Sequence, residues 1–220
     1  MDDEAASAAG MNPIRREAER ASIMRILIVG ASGHVGSAAA RALSAKHEVV
    51  GLSRSTDPAI DLLDPESIRA VFDRLGRFDA VVSAFGSAPF KPAPELTTED
   101  LESAFRGKVL SQLSLVRIGL EFVEDHGSFT LTTGILARES LPAGAAAAMA
   151  NGAVESYVRS AGNELPRGIR LNVVSPNVLA SATGYHEAFA GFEPVSDERV
   201  GLAYVRSVEG NDTGRTYPVG

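Results

Sequence analysis

The chain has 220 residues, enough for one α/β domain with a full core. A formal net charge of −7 argues against a general nucleic-acid surface, which needs clustered Lys and Arg. The absence of cysteine excludes disulfides, thiolate catalysis and Cys-ligated zinc, and four scattered histidines form no metal-ligand pattern, so no metal site is expected.

Residues 1–23 are a mixed-charge extension, expected to be frayed or weakly helical over 14–22. They lack the basic-then-apolar pattern of a secretory signal. No later stretch approaches the roughly 20 apolar residues of a membrane span, so the expectation is a cytoplasmic protein with no membrane partner. The domain proper is assigned to 24–220. Residues 25–30 (RILIVG) form an apolar run of strand length, and 35–45 follow with helical spacing. A second strand covers 48–53. Asp64 followed by Pro65 reads as an N-cap with proline at the first helical position, starting a helix to about Leu75. A third strand covers 79–83. Thr97 or Thr98 caps a long helix over 98–123, with Leu101, Phe105, Val109, Leu113, Val116 and Leu120 on one stripe. A strand at 128–133, a helix rich in small residues at 145–165 and a strand at 170–175 come next. Ser196 caps a helix over 197–208, and 213–219 supply the last strand. Apolar strands separated by helices imply a doubly wound parallel sheet in three α/β/α layers, a single domain. One irregular stretch, 180–195, carries Gly184, Tyr185, Phe189, Gly191 and Phe192 and follows a strand's C-terminal end, where such folds bind ligands.

The first βα unit holds the strongest motif. Gly30-Ala-Ser-Gly33-His-Val-Gly36 lies between a strand and a helix. A dinucleotide's diphosphate needs backbone N–H groups at a helix N-terminus, without side chains in the way. The turn therefore predicts a Rossmann-type site, with Gly30, Ser32, Gly33, His34, Val35 and Gly36 around the phosphates. An NAD site usually ends its second strand with Asp or Glu for the ribose 2′-hydroxyl. This chain has Ser53, Arg54 and Ser55 instead. A guanidinium can grip a 2′-phosphate, so NADP(H) is the expected cofactor.

With these motifs in order, residues 24–220 resemble the short-chain dehydrogenases/reductases. The glycine turn follows the GxxGxxG spacing of extended and atypical members. Asp61-Leu62 resembles the pair that contacts adenine, and Ser83-Ala84-Phe85-Gly86 stands where that family has its Asn-Ala-Gly stretch. Leu131-Thr132-Thr133 stands where a strand ends in the catalytic serine. Residues 170–181 (RLNVVSPNVLAS) look like the segment flanking the nicotinamide, which implies roles there for Pro176, Val178 and Ser181. The family's YxxxK pair is missing: the resemblance places Ala147 at the tyrosine and Asn151 at the lysine. Tyr157 is no substitute, because six residues from Asn151 is a turn of about 600°, roughly 120° off that face. Packing or a subunit contact suits it better.

Three residues are candidates for a rewired site. Lys108 sits near the position of the family's catalytic-site asparagine, where it can reach the cofactor ribose or polarise a substrate carbonyl. Thr133 offers a hydroxyl, and Asn151 an amide for the nicotinamide ribose. The implied activity is hydride transfer between NADP(H) and a small carbonyl or enone substrate, with a non-standard proton donor. The alternative is a non-catalytic NADP(H)-binding sensor or regulator, which the missing Tyr and Lys favour. The resemblance also implies a homodimer or homotetramer through helices 98–123 and 145–165.

Overall fold

The computed structural model describes residues 23–220, so the expectation for the extension falls, Ile23 apart, outside the described residues. Six strands form one parallel sheet: β1 (Arg25–Val29), β2 (Glu48–Leu52), β3 (Phe78–Ser83), β4 (Val123–Thr132), β5 (Arg170–Pro176) and β6 (Thr216–Val219). Their order is β2-β1-β3-β4-β5-β6. The order reverses between β1 and β3, the topological switch point at which open α/β sheets bind ligands.

Helix α1 (His34–Ser44) follows β1, and α2 (Pro65–Leu75) follows β2. Next come α3 (Thr98–Ala104), a π-helical segment Phe105–Leu110, and α4 (Ser111–Gly119). Helices α5 (Ala145–Ala161) and α6 (Asp197–Glu209) complete the layers. Alternation along β1 sorts the core. Leu27 and Val29 face the cluster containing Phe72, Phe129 and Val154 of α2, β4 and α5. Ile26 and Ile28 face the cluster containing Leu43 of α1 and Tyr204 of α6. A strand buried on both faces reads as a near-continuous apolar run, as β1 (RILIV) does; in β4 and β5 buried Thr130, Thr132 and Asn172 interrupt the run and are hydrogen-bonded.

Local chemistry sets several boundaries. Asp64 accepts from Glu66 N at 3.0 Å with Pro65 at the first turn. Thr97 and Asp100 form a reciprocal capping box, so Thr97 and not Thr98 is the cap. Ser196 accepts from Arg199 N.

Some expectations are corrected. The long helix does not run unbroken over 98–123. It passes through the π segment and ends at Gly119. Val109 and Val116 of the expected stripe are buried, but the added residue rotates the helix between its two halves: Leu101 and Phe105 are exposed, and Ala104, Gln112 and Leu115 are buried as well. The strand expected at 128–133 begins at Val123, which pairs with Phe78 across a register shift. The helix expected over 145–165 stops at Ala161, and the last strand starts at Thr216. Among the described residues no helix is long and apolar enough to cross a membrane.

Candidate active site

At the switch point the glycine turn has little room. Gly30 has φ +86°, and a Cβ there would lie 2.6 Å from Ala84 O. A Cβ on Gly36 would lie 2.0 Å from Gly30 O, so α1 approaches the turn as only glycine permits. Gly33 is the N-cap of α1, and no side chain caps the helix. The first amides of α1 are thereby left for a ligand.

Beside this turn a cleft of about 410 Å³ opens at the C-terminal ends of β1, β3, β4 and β5. Ten of the expected cofactor and catalytic residues line it: Gly33, His34 and Val35 from the turn, Ala84 and Gly86 after β3, Lys108, Thr133, Asn151, Pro176 and Val178. Phe90, Leu136, Ala147, Tyr185 and Phe189 make much of the rest of the wall apolar. Exposed Ser181 reaches across to His34 Nδ1 at 3.5 Å.

Several expected contacts lie outside this cleft. Ser32 is exposed in the glycine turn, and Ser83 is fully buried at the end of β3. Phe85 packs against the core, and Leu62 is part of it. The Asp61 carboxylate accepts from Leu63 N at 2.9 Å. Ser53, Arg54 and Ser55 form a turn after β2 in which Ser53 Oγ and Ser55 Oγ lie 2.9 Å apart. Arg54 is exposed, and the nearby Asp57 carboxylate is held by Arg74 at 2.7 Å.

Lys108 enters the cleft from the π segment, a distortion common at functional sites. Its stem lies against Gly86, where a Cβ would come within 2.5 Å of Lys108 Cδ. The residue is half-buried over its whole surface, but its ammonium end is enclosed by the wall. Desolvation there brings its pKa down to about 8. Gln112, one turn on, fixes this segment to β4. Its Nε2 donates to Lys108 O and Thr132 O, each at 3.0 Å, and its Oε1 accepts from Thr132 N at 2.9 Å.

Asn151 is 5% exposed, lines the cleft, and its Oδ1 has no hydrogen-bond partner among the described residues. A buried amide oxygen left unpaired is costly unless a ligand satisfies it. Thr133 has a partner: its hydroxyl donates to Glu155 Oε1 at 2.8 Å. Glu155, Arg138, Ser175 and Gln112 were not among the residues the sequence singled out. A usable signal was spacing, since Ala147, Asn151 and Glu155 recur every fourth residue on one face of α5.

A glycine turn at the switch point of a parallel sheet, opening on a cleft at the strands' C-terminal ends, defines a nucleotide-binding α/β protein of Rossmann type. Comparison with known proteins narrows this. The family model described as Enoyl-(Acyl carrier protein) reductase matches residues 41–217. The protein lin1944 from Listeria innocua is 44% identical, with a TM-score of 0.87 over 90% of this chain and 100% of that one. A small-chain dehydrogenase structure is 25% identical, with a TM-score of 0.77 over 90% of this chain and 96% of that one. Hydroxynaphthalene reductase arp2 of Aspergillus fumigatus is 30% identical over 54% of this chain and 42% of its own length. The chain thus spans about half the length of the curated relatives it matches, 42% and 51% for two of them. The chain belongs to the short-chain dehydrogenase/reductase superfamily, whose members bind nicotinamide dinucleotides.

Proposed function

We propose that this protein is an NADP(H)-dependent oxidoreductase acting on a small carbonyl or enone, with Lys108 supplying the proton that the family's tyrosine usually gives. The observation that carries this reading is a desolvated lysine with a pKa of about 8, seated on Gly86 in the cleft. A general acid works best when its pKa lies near the operating pH.

The residues fit the cofactor. Gly30, Gly33 and Gly36 leave room and free amides for a diphosphate. The orphaned Asn151 amide suits a ribose hydroxyl of the nicotinamide half. Arg54, with Ser53 and Ser55 beside it, suits a 2′-phosphate, and the one acid in that turn is engaged by Arg74. When bound, the nicotinamide supplies or accepts the hydride. Reduction leaves negative charge on the substrate oxygen. The Lys108 ammonium stabilises that charge, gives the oxygen its proton and is reprotonated from solvent. An enone demands less of a donor at oxygen, because the positive charge holds its enolate and the proton is taken on the α-carbon afterwards, from solvent. Apolar walls from Phe90, Leu136 and Phe189 favour a compact apolar substrate.

Ala147 on the cleft wall favours a second reading, a cofactor-binding regulator without turnover. One experiment separates them. NADPH oxidation is followed against a panel of carbonyls and enones, with Lys108→Ala in parallel. Turnover that falls about 10²–10⁴-fold in the variant supports the enzyme. Tight cofactor binding with no turnover on any substrate supports the regulator.

A further inference from the structure

Glu155 has no part in the steps above, yet its carboxylate joins four segments of the cleft wall. Oε1 accepts from Thr133 Oγ1, Ser175 Oγ and Arg138 Nη1, each at 2.8 Å. Oε2 accepts from the same Arg138 nitrogen at 2.9 Å, and Arg138 Nη2 donates to Ser175 Oγ at 3.0 Å. The Glu155 side chain is only 12% exposed. Thr133 directly follows β4, Arg138 lies in the turn beyond it, Glu155 is on α5 and Ser175 is near the end of β5. Each segment also supplies cleft lining: Thr133 itself, Leu136, Asn151 and Pro176 respectively. Every group facing the carboxylate is a donor, so an ionised acid, with acceptor sites only, is the side chain that satisfies them all.

We propose that Glu155 is a positioning residue for the nicotinamide half of the site: it holds Thr133 and Ser175 against Arg138 and so fixes the wall that receives the ring. The proposal rests on the cofactor reading above. It has a chemical consequence for Thr133. A threonine hydroxyl carries one proton, and here Glu155 takes it. Only lone pairs remain for a ligand, so Thr133 accepts and the donor role falls to Lys108. Without the carboxylate the Thr133 rotor is released, and Arg138 and Ser175 lose the acceptor they share.

Calorimetry on the full chain tests this with two ligands. NADPH spans both halves of the site, whereas 2′,5′-ADP occupies only the adenosine half. Glu155→Gln is expected to weaken NADPH by at least about fivefold while changing 2′,5′-ADP by less than about twofold. Thr133→Val removes one contact and leaves the ion pair intact. It should show a smaller loss on NADPH alone, and it keeps the proposal testable should Glu155→Gln fail to fold. Glu155→Asp should recover part of the NADPH affinity. A merely structural role predicts equal weakening of both ligands, and that result overturns the proposal. So does an unchanged ratio of the two affinities in both variants. Wild-type protein that binds neither ligand overturns the cofactor reading and this proposal together.

Discussion

Lys108 illustrates how a residue's neighbours set its chemistry. Burial alone lowers its pKa to about 8, so the amine titrates within reach of physiological pH. As proton donor it must start charged. The reductive rate should therefore hold below pH 8 and fall as pH rises through that value, with the loss absent in Lys108→Arg if charge alone suffices. Stability carries the opposite mark. The folded state binds this proton more weakly than the unfolded chain, whose lysine keeps its ordinary value of 10.5. The penalty is full below pH 8 and is relieved between about 8 and 10.5. Lys108→Met should accordingly stabilise the fold by about 2 kcal/mol at pH 7, a figure already reduced for partial exposure, and by almost nothing near pH 10.5. Urea unfolding at the two pH values checks it, and an equal gain at both would reject the desolvation account. Arg54 makes a second residue-scale claim. If its guanidinium grips a 2′-phosphate, Arg54→Ala should weaken NADPH about tenfold or more and leave NADH unchanged. Equal loss on both cofactors would point to general electrostatics instead. The two sites differ in how openly the sequence displays them. The glycine turn is legible because its spacing is itself the mechanism. The Glu155 hub is not, because a helical glutamate ordinarily faces water. Here its burial depends on Arg138 and Ser175, which are distant in the chain.

Elements were legible where local chemistry decides them. Asp64 with Pro65, Thr97 with Asp100, and Ser196 mark helix starts through side-chain bonds to nearby amides, and all three starts stand where those residues are. Strands β1, β3 and β5 were legible too, each to within one residue at either end. The break after α3 was hidden because its causes are tertiary. Ser111 N bonds Arg106 O, the π pattern, and this releases Gly107 O. That carbonyl then accepts from Ser87 N at 3.3 Å and from Ser111 Oγ at 3.1 Å. Gln112 adds its bonds to Lys108 O and to the Thr132 backbone. A periodicity of 3.6 residues cannot foresee partners on another loop and another strand. The break places Lys108 on the cleft, so the part of the helix that sequence described least well carries the proposed donor.

At the scale of the molecule, the rotated face after α3 leaves apolar surface uncovered. Leu101, Phe105, Leu110 and Met149 are exposed and line one shallow groove between α3, the π segment and α5. A core stripe was expected to bury Leu101 and Phe105, and the sheet does not. Tyr157 is exposed farther along α5, and Gly152 has open space beside it. Glu102 and Arg106 rim these apolar side chains, and an exposed apolar patch with a polar rim is the pattern of an interaction surface. Because two helices of one chain supply it, a second copy turned about a two-fold axis can match it with itself. We therefore expect a homodimer across α3, the π segment and α5. Phe105→Glu should place a charge in the middle of that contact while leaving the exposed position free of strain within the chain. Sedimentation should show wild type at twice the 23.0 kDa chain mass and the variant at the chain mass. Thermal unfolding of the diluted variant should stay close to that of equally diluted wild type, since Phe105 is already exposed in the single chain. A wild-type protein that sediments at 23.0 kDa across micromolar concentrations would reject the dimer and leave this groove free for another partner.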